Sequence, residues 1–94
     1  MIQSTTVWIF KGPKPIPGFP SAVFSNLNLA QSWIRENRVT GTLTEYPLDK
    51  GAYDWAIENK YLEPEEGKHT STSFIENFSS ASQNHYHYEN GEKA

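Results

Sequence analysis

Four prolines and two glycines fall within residues 12–20 (G-P-K-P-I-P-G-F-P), and that density decides how the first part of the chain can fold. Proline has no backbone donor and fixes φ, so such a segment joins neither a helix interior nor the middle of a sheet. It reads as a stiff loop between two extended segments. Before it, residues 5–11 (T-T-V-W-I-F-K) are dense in β-branched and aromatic side chains and predict a strand. Val7 and Ile9 occupy one face and Trp8 and Phe10 the other, the pattern of a central strand covered on both sides. After the loop, residues 22–24 predict a short second strand antiparallel to the first.

The rest of the chain alternates helix and strand signals. Ser25 or Asn26 supplies the N-cap of a helix reaching about residue 37, with Leu27, Ala30, Trp33 and Ile34 on its apolar side and Arg35, Glu36 and Arg38 outward. Residues 40–46 (T-G-T-L-T-E-Y) predict a third strand stopped by Pro47. Asp49 suits the N-cap of a second helix whose buried stripe is Tyr53, Ala56, Ile57 and Tyr61. Ser73 and Glu76 have capping-box spacing at the start of a third helix, with Phe74, Ile75 and Phe78 as its apolar side. Residues 85–89 (H-Y-H-Y-E) alternate and predict a closing edge strand, and the polar residues 90–94 a frayed tail. The order β-β-α-β-α-α-(β) implies an α+β fold: a small three- or four-stranded, mainly antiparallel sheet with three helices on one face. Residues 1–94 are expected to form a single domain with an ordered core at about 5–89.

A chain of 94 residues must build its core economically, and the thirteen Phe, Trp and Tyr side chains supply the apolar area. The sequence has no cysteine, which excludes a disulfide, a thiolate nucleophile and a cysteine-based zinc site. The first residues lack the basic and apolar regions of a signal peptide, and no apolar run is long enough for a membrane helix. The expectation is a cytoplasmic protein without membrane contact. Net charge is −3, unevenly spread. Residues 1–39 sum to +3, residues 40–66 to −5 and the remainder to −1. The acidic middle repels phosphate backbones, which argues against nucleic acid and suits a basic protein partner.

Three constellations carry candidate chemistry. In His85-Tyr86-His87-Tyr88, residues two apart share a strand face, so both imidazoles point one way, a spacing that suits two ligands on one zinc or nickel ion. A site of that kind needs a third ligand, for which His69 and Glu89 are the candidates. The competing reading packs the tyrosines inward and leaves the histidines in water. Asp49, Asp54 and Glu58 form the second constellation, with 54 and 58 one helical turn apart; no partnered nucleophile or positioned cation accompanies them, so a solvated helix face is the simpler reading. The third is the proline loop itself, where Pro17-Gly18-Phe19-Pro20 nominally matches P-x-x-P and Lys11, Lys14, Ile16 and Phe19 could form a contact patch. Phosphate loops, H-E-x-x-H and G-x-S-x-G are absent from the sequence.

Several stretches together resemble an uncharacterised bacterial family of small stand-alone domains. They are V-W-I-F at 7–10, F-P-S-A-V-F-S at 19–25, A-x-x-W-I at 30–34, T-G-T-L-T-E-Y-P-L-D at 40–49, Y-D-W-A-I-E-N at 53–59 and H-Y-H-Y-E at 85–89. The insertion at 13–17 is longer than the resemblance leads one to expect. The resemblance implies a bacterial source and a compact α+β fold, and it implies no activity.

The expected function is therefore binding rather than catalysis. In its concrete form the chain is an immunity- or antitoxin-like inhibitor of a basic protein, contacting it through Glu45, Asp54, Glu58, Glu63, Glu65 and Glu66 with Trp55 or Tyr61 as an aromatic anchor. The alternative is a small-ligand or metal sensor built on His85 and His87, with zinc as the ion and no other cofactor implied.

Overall fold

The computed structural model describes residues 6–13, 18–65 and 69–94. Its elements run β1 (Thr6–Lys11), β2 (Pro20–Phe24), α1 (Leu27–Asn37), β3 (Gly41–Pro47), α2 (Ala52–Glu58), α3 (Thr72–Glu76), β4 (His85–Glu89) and β5 (Glu92–Lys93). The strands form one antiparallel sheet in the order β2-β1-β3-β4-β5. The fold is α+β, with five strands where the sequence predicts three or four. Lys14, Ile16 and Pro17 of the proline loop lie outside the described residues.

The additional strand comes from the segment expected to fray. Asn90 and Gly91 adopt φ of 52° and 86°, the left-handed pair that a two-residue hairpin turn requires. That turn pairs Tyr88 with Lys93 and Glu89 with Glu92. β4 is consequently an internal strand and not the edge.

The register sorts the side chains onto two faces. Ala22, Phe10, Leu43 and Tyr86 form one cross-strand row, and Phe24, Trp8 and Glu45 another. Against this face packs α1, capped by the Asn26 side chain, which accepts from the Leu29 amide at 2.9 Å. Ala30 and Ile34 are fully buried there beside Phe10 and Leu43, with Trp33 edge-on to Phe10 at 5.6 Å. Each large apolar side chain buried this way contributes about 1.5–3 kcal/mol. The helix ends at Arg38, a left-handed C-cap whose amide donates to the Ile34 carbonyl.

The opposite face carries two further rows, Val23–Ile9–Thr44–His85 and Pro20–Lys11–Thr42–His87. The expectation that β1 is covered on both sides is corrected in degree: on this face, which α1 leaves uncovered, Val7 and Ile9 are only partly buried and Val23 of the neighbouring β2 is 62% exposed. Molecular extents of 45 × 40 × 19 Å describe a flattened molecule. The radius of gyration, 14.7 Å, exceeds the roughly 12 Å of an equally long spherical domain for the same reason.

Three local expectations also change. α2 is capped by Gly51 with no side-chain bond, while Asp49 occupies the preceding turn at φ 62°. α3 begins at Thr72, capped by Ser71 and not Ser73, because the Ser71 hydroxyl reaches the Phe74 amide at 3.1 Å. Tyr61 is 56% exposed, so it leaves the α2 stripe, and Ile75 is 42% exposed. Tyr53 instead meets Phe74 and Phe78 edge-on at 6.1 and 5.9 Å, joining α2 to α3.

Candidate functional site

α2 and the turn before it build a shallow cleft. Pro47 ends β3, the chain turns through Leu48 and Asp49, and α2 returns Trp55, Glu58 and Asn59 to face them. Thr6, Pro47, Leu48, Lys50, Trp55, Glu58 and Asn59 line a hollow of about 260 Å³. Leu48 is 47% exposed at its mouth. The Trp55 ring packs on Tyr61 at 5.3 Å between centroids, and the largely exposed Tyr61 extends the apolar surface outward. Lys50 and Glu58 form an ion pair across the rim, and Asp54 is exposed one helical turn before Glu58.

Glu45 sits behind this cleft. Its carboxylate accepts from the Thr6 hydroxyl at 2.6 Å and from Asn84 Nδ2 at 2.8 Å, so both oxygens are engaged within the fold. Its main chain is held as firmly: the amide donates to the Asn84 carbonyl at 2.8 Å, and the carbonyl accepts from Gln83 Nε2 at 3.1 Å. The residues expected to contact a partner therefore divide. Asp54, Trp55, Glu58 and Tyr61 gather on α2 and the turn after it; Glu45 clamps β3 to β1 and to the segment before β4. Glu63 and Glu65 are exposed further along the chain, and Glu66 lies outside the described residues.

The uncovered sheet face is the second region. A trough of about 510 Å³ is lined by Ile9, Lys11, Gly12, Pro13, Gly18, Pro20, Thr42, Thr44 and Tyr46. A smaller hollow of about 220 Å³ adjoins it, sharing Thr42, Thr44 and Tyr46 and reaching His85 and the 79–83 segment. Sequence reasoning missed this pair. Its signal is the alternation T-L-T-E-Y at 42–46, which puts two hydroxyls and a phenol on the face away from Leu43.

His85 and His87 share this face, exposed, with ring centroids 5.5 Å apart, while Tyr88 is buried and Tyr86 partly buried on the other side. His85 Nδ1 lies 2.8 Å from the Gln83 carbonyl, which can only accept, so Nδ1 carries the proton. His87 Nδ1 is 3.3 Å from the Thr42 hydroxyl. The proposed third ligands do not complete a site: His69 packs on Phe74 and accepts the Glu65 amide, and no cluster of three metal-ligating side chains occurs among the described residues. No helix among them is long and apolar enough to cross a membrane.

A profile described as "Domain of unknown function (DUF7710)" matches residues 7–94. The chain belongs to the DUF7710 family. The matched span runs from β1 through β5, so it takes in the α2 cleft and the uncovered sheet face together. No curated protein and no solved structure matches the chain.

Proposed function

We propose that this DUF7710 domain is a non-enzymatic protein-binding module that docks a basic partner at the α2 cleft. The observation that carries the reading is the partly buried Trp55 packed on the exposed Tyr61 and facing Leu48 across the cleft, with Asp54 and Glu58 exposed on the same helix as Trp55. An aromatic anchor ringed by charge is the usual arrangement of an interface hot spot. Asp49, Asp54, Glu58, Glu63 and Glu65 against Lys50 and Lys60 leave residues 49–65 at −3, which steers a cationic surface toward the anchor. An inhibitor of the immunity or antitoxin kind, acting in a bacterial cytoplasm, is the most concrete form of this role. The test is capture from a lysate of the source organism by the wild-type chain and by Asp54→Lys/Tyr61→Ala. A basic protein held at low salt, released at high salt and lost by the variant supports the reading. Retention that ignores both salt and the variant rejects it.

A second reading is favoured by the trough on the uncovered sheet face, lined by Lys11, Thr42, Thr44 and Tyr46, and by the adjoining hollow that shares Thr42, Thr44 and Tyr46 and reaches His85. It makes the chain a small-ligand sensor. A thermal-shift screen of metabolites separates the two: a ligand whose stabilisation is lost in Thr44→Val moves this reading to the front.

A further inference from the structure

The two edges of the sheet are built differently. β5 is two residues long, and both of them, Glu92 and Lys93, are exposed charges; a short charged edge discourages a further strand. β2 is five residues long and carries no charge. Among the described residues its main chain pairs only with β1, which leaves the outward row of N–H and C=O groups open. Pro20 and the register shift opposite Phe10 and Lys11 disturb only the start of the strand, and Ala22, Val23 and Phe24 run in regular register.

Exposed large apolar side chains lie on β2, just before it and at the start of the helix that follows. Phe19, just before β2, is 73% exposed; Val23, on the uncovered face, is 62% exposed; Leu29, in the first turn of α1, is 54% exposed. No Asp, Glu, Lys or Arg occurs between Lys14 and Arg35. We propose that β2 pairs antiparallel with β2 of a second copy across a two-fold axis, joining two five-stranded sheets into one.

The absence of charge together with the antiparallel pairing geometry favours a second copy as the occupant. A two-fold contact sets a surface against itself, so any charge on it meets its own kind. The β2 edge is neutral on a chain of net charge −3, which lets two copies meet there without that repulsion. Antiparallel pairing satisfies the open groups of both strands at once, and Phe19 and Val23 of each copy shield the new ladder from water. The contact joins two five-residue strands and is small, so the association belongs with the weak, transient kind. No residue of β2 lines the α2 cleft, so dimerisation leaves that surface free and stands independently of the proposed function.

Sedimentation equilibrium of the whole chain from about 10 µM to about 1 mM tests this. The expected result is a mass rising from monomer to dimer, unaltered by salt, and a monomer throughout for Val23→Lys with unchanged circular dichroism. If Val23→Lys loses its fold, Phe19→Lys, outside the strand, takes its place in the comparison. A wild-type monomer at every concentration, a folded variant that dimerises as the wild type does, or a dimer dissolved by salt overturns the proposal.

Discussion

Gly91 lies against the last turn of α1, where a Cβ would stand 3.0 Å from Arg38 Cα and 3.1 Å from the Ile34 carbonyl oxygen. Its amide donates to the Val39 carbonyl at 2.9 Å, so the β4–β5 turn is fastened to the segment that leaves α1. Arg38 and Gly91 both have positive φ, 53° and 86°, and the two left-handed residues allow the helix end and the hairpin turn to approach.

Gly91→Ala is therefore expected to destabilise the fold by about 2–3 kcal/mol, through left-handed strain and through contact with backbone that cannot step aside. Urea unfolding measures it. A cost below about 0.5 kcal/mol would mean that the tail is not docked.

Gln83 is 2% exposed and works as a two-way strut. Its Nε2 donates to the Glu45 carbonyl at 3.1 Å, and its Oε1 accepts from the Ser80 amide at 2.8 Å. Gln83→Leu leaves both main-chain groups without that partner and should cost about 1–3 kcal/mol. Gln83→Glu keeps the shape but sets a carboxyl against a carbonyl, where only the protonated form can donate. The folded state then holds a proton that the unfolded chain releases, so stability falls as pH rises above the ordinary glutamate value of about 4.3. Thermal melts of the wild type and Gln83→Glu across acid to neutral pH check the sign; parallel curves would dismiss the strut.

Asp49 separates two accounts of the turn before α2. As an N-cap it would lose a few tenths of a kcal/mol on replacement by glycine and about 1 kcal/mol by alanine. At its observed φ of 62°, Asp49→Gly relieves strain instead, and is expected to be neutral to stabilising by up to about 1 kcal/mol. Asp49→Ala should still destabilise. The sign of the glycine variant in a denaturant titration decides between them.

Such residues explain what could be read from the sequence. The first strand, the helix capped by Asn26 and the alternation of His85 to Tyr88 were legible because local periodicity and burial agree there. The β4–β5 hairpin carries a turn signal in Asn90-Gly91, but the polar composition of residues 90–94 predicts fraying, because composition does not register main-chain pairing. The uncovered face was not legible. Val7 and Ile9 are as apolar as residues buried on both sides, and periodicity does not say whether a second layer exists. Trp55 and Tyr61 belonged to the expected site from the start, whereas Glu45, chosen for charge alone, takes its role from Thr6 and Asn84, which are distant in sequence.

Zinc distinguishes the histidine pair as a ligand set from the pair as a solvated strand face. The Gln83 carbonyl fixes the proton of His85 on Nδ1 and leaves Nε2 toward solvent, and His87 Nδ1 is engaged with Thr42. Two imidazoles without a third ligand fall short of the four-coordinate zinc sites that stabilise folds. Equimolar zinc is expected to move the melting temperature by less than about 1 °C, with no difference between wild type and His87→Ala. A larger rise that His87→Ala removes would mean that a further ligand completes the site, and would move the metal-sensor reading ahead of docking at Trp55 and Tyr61.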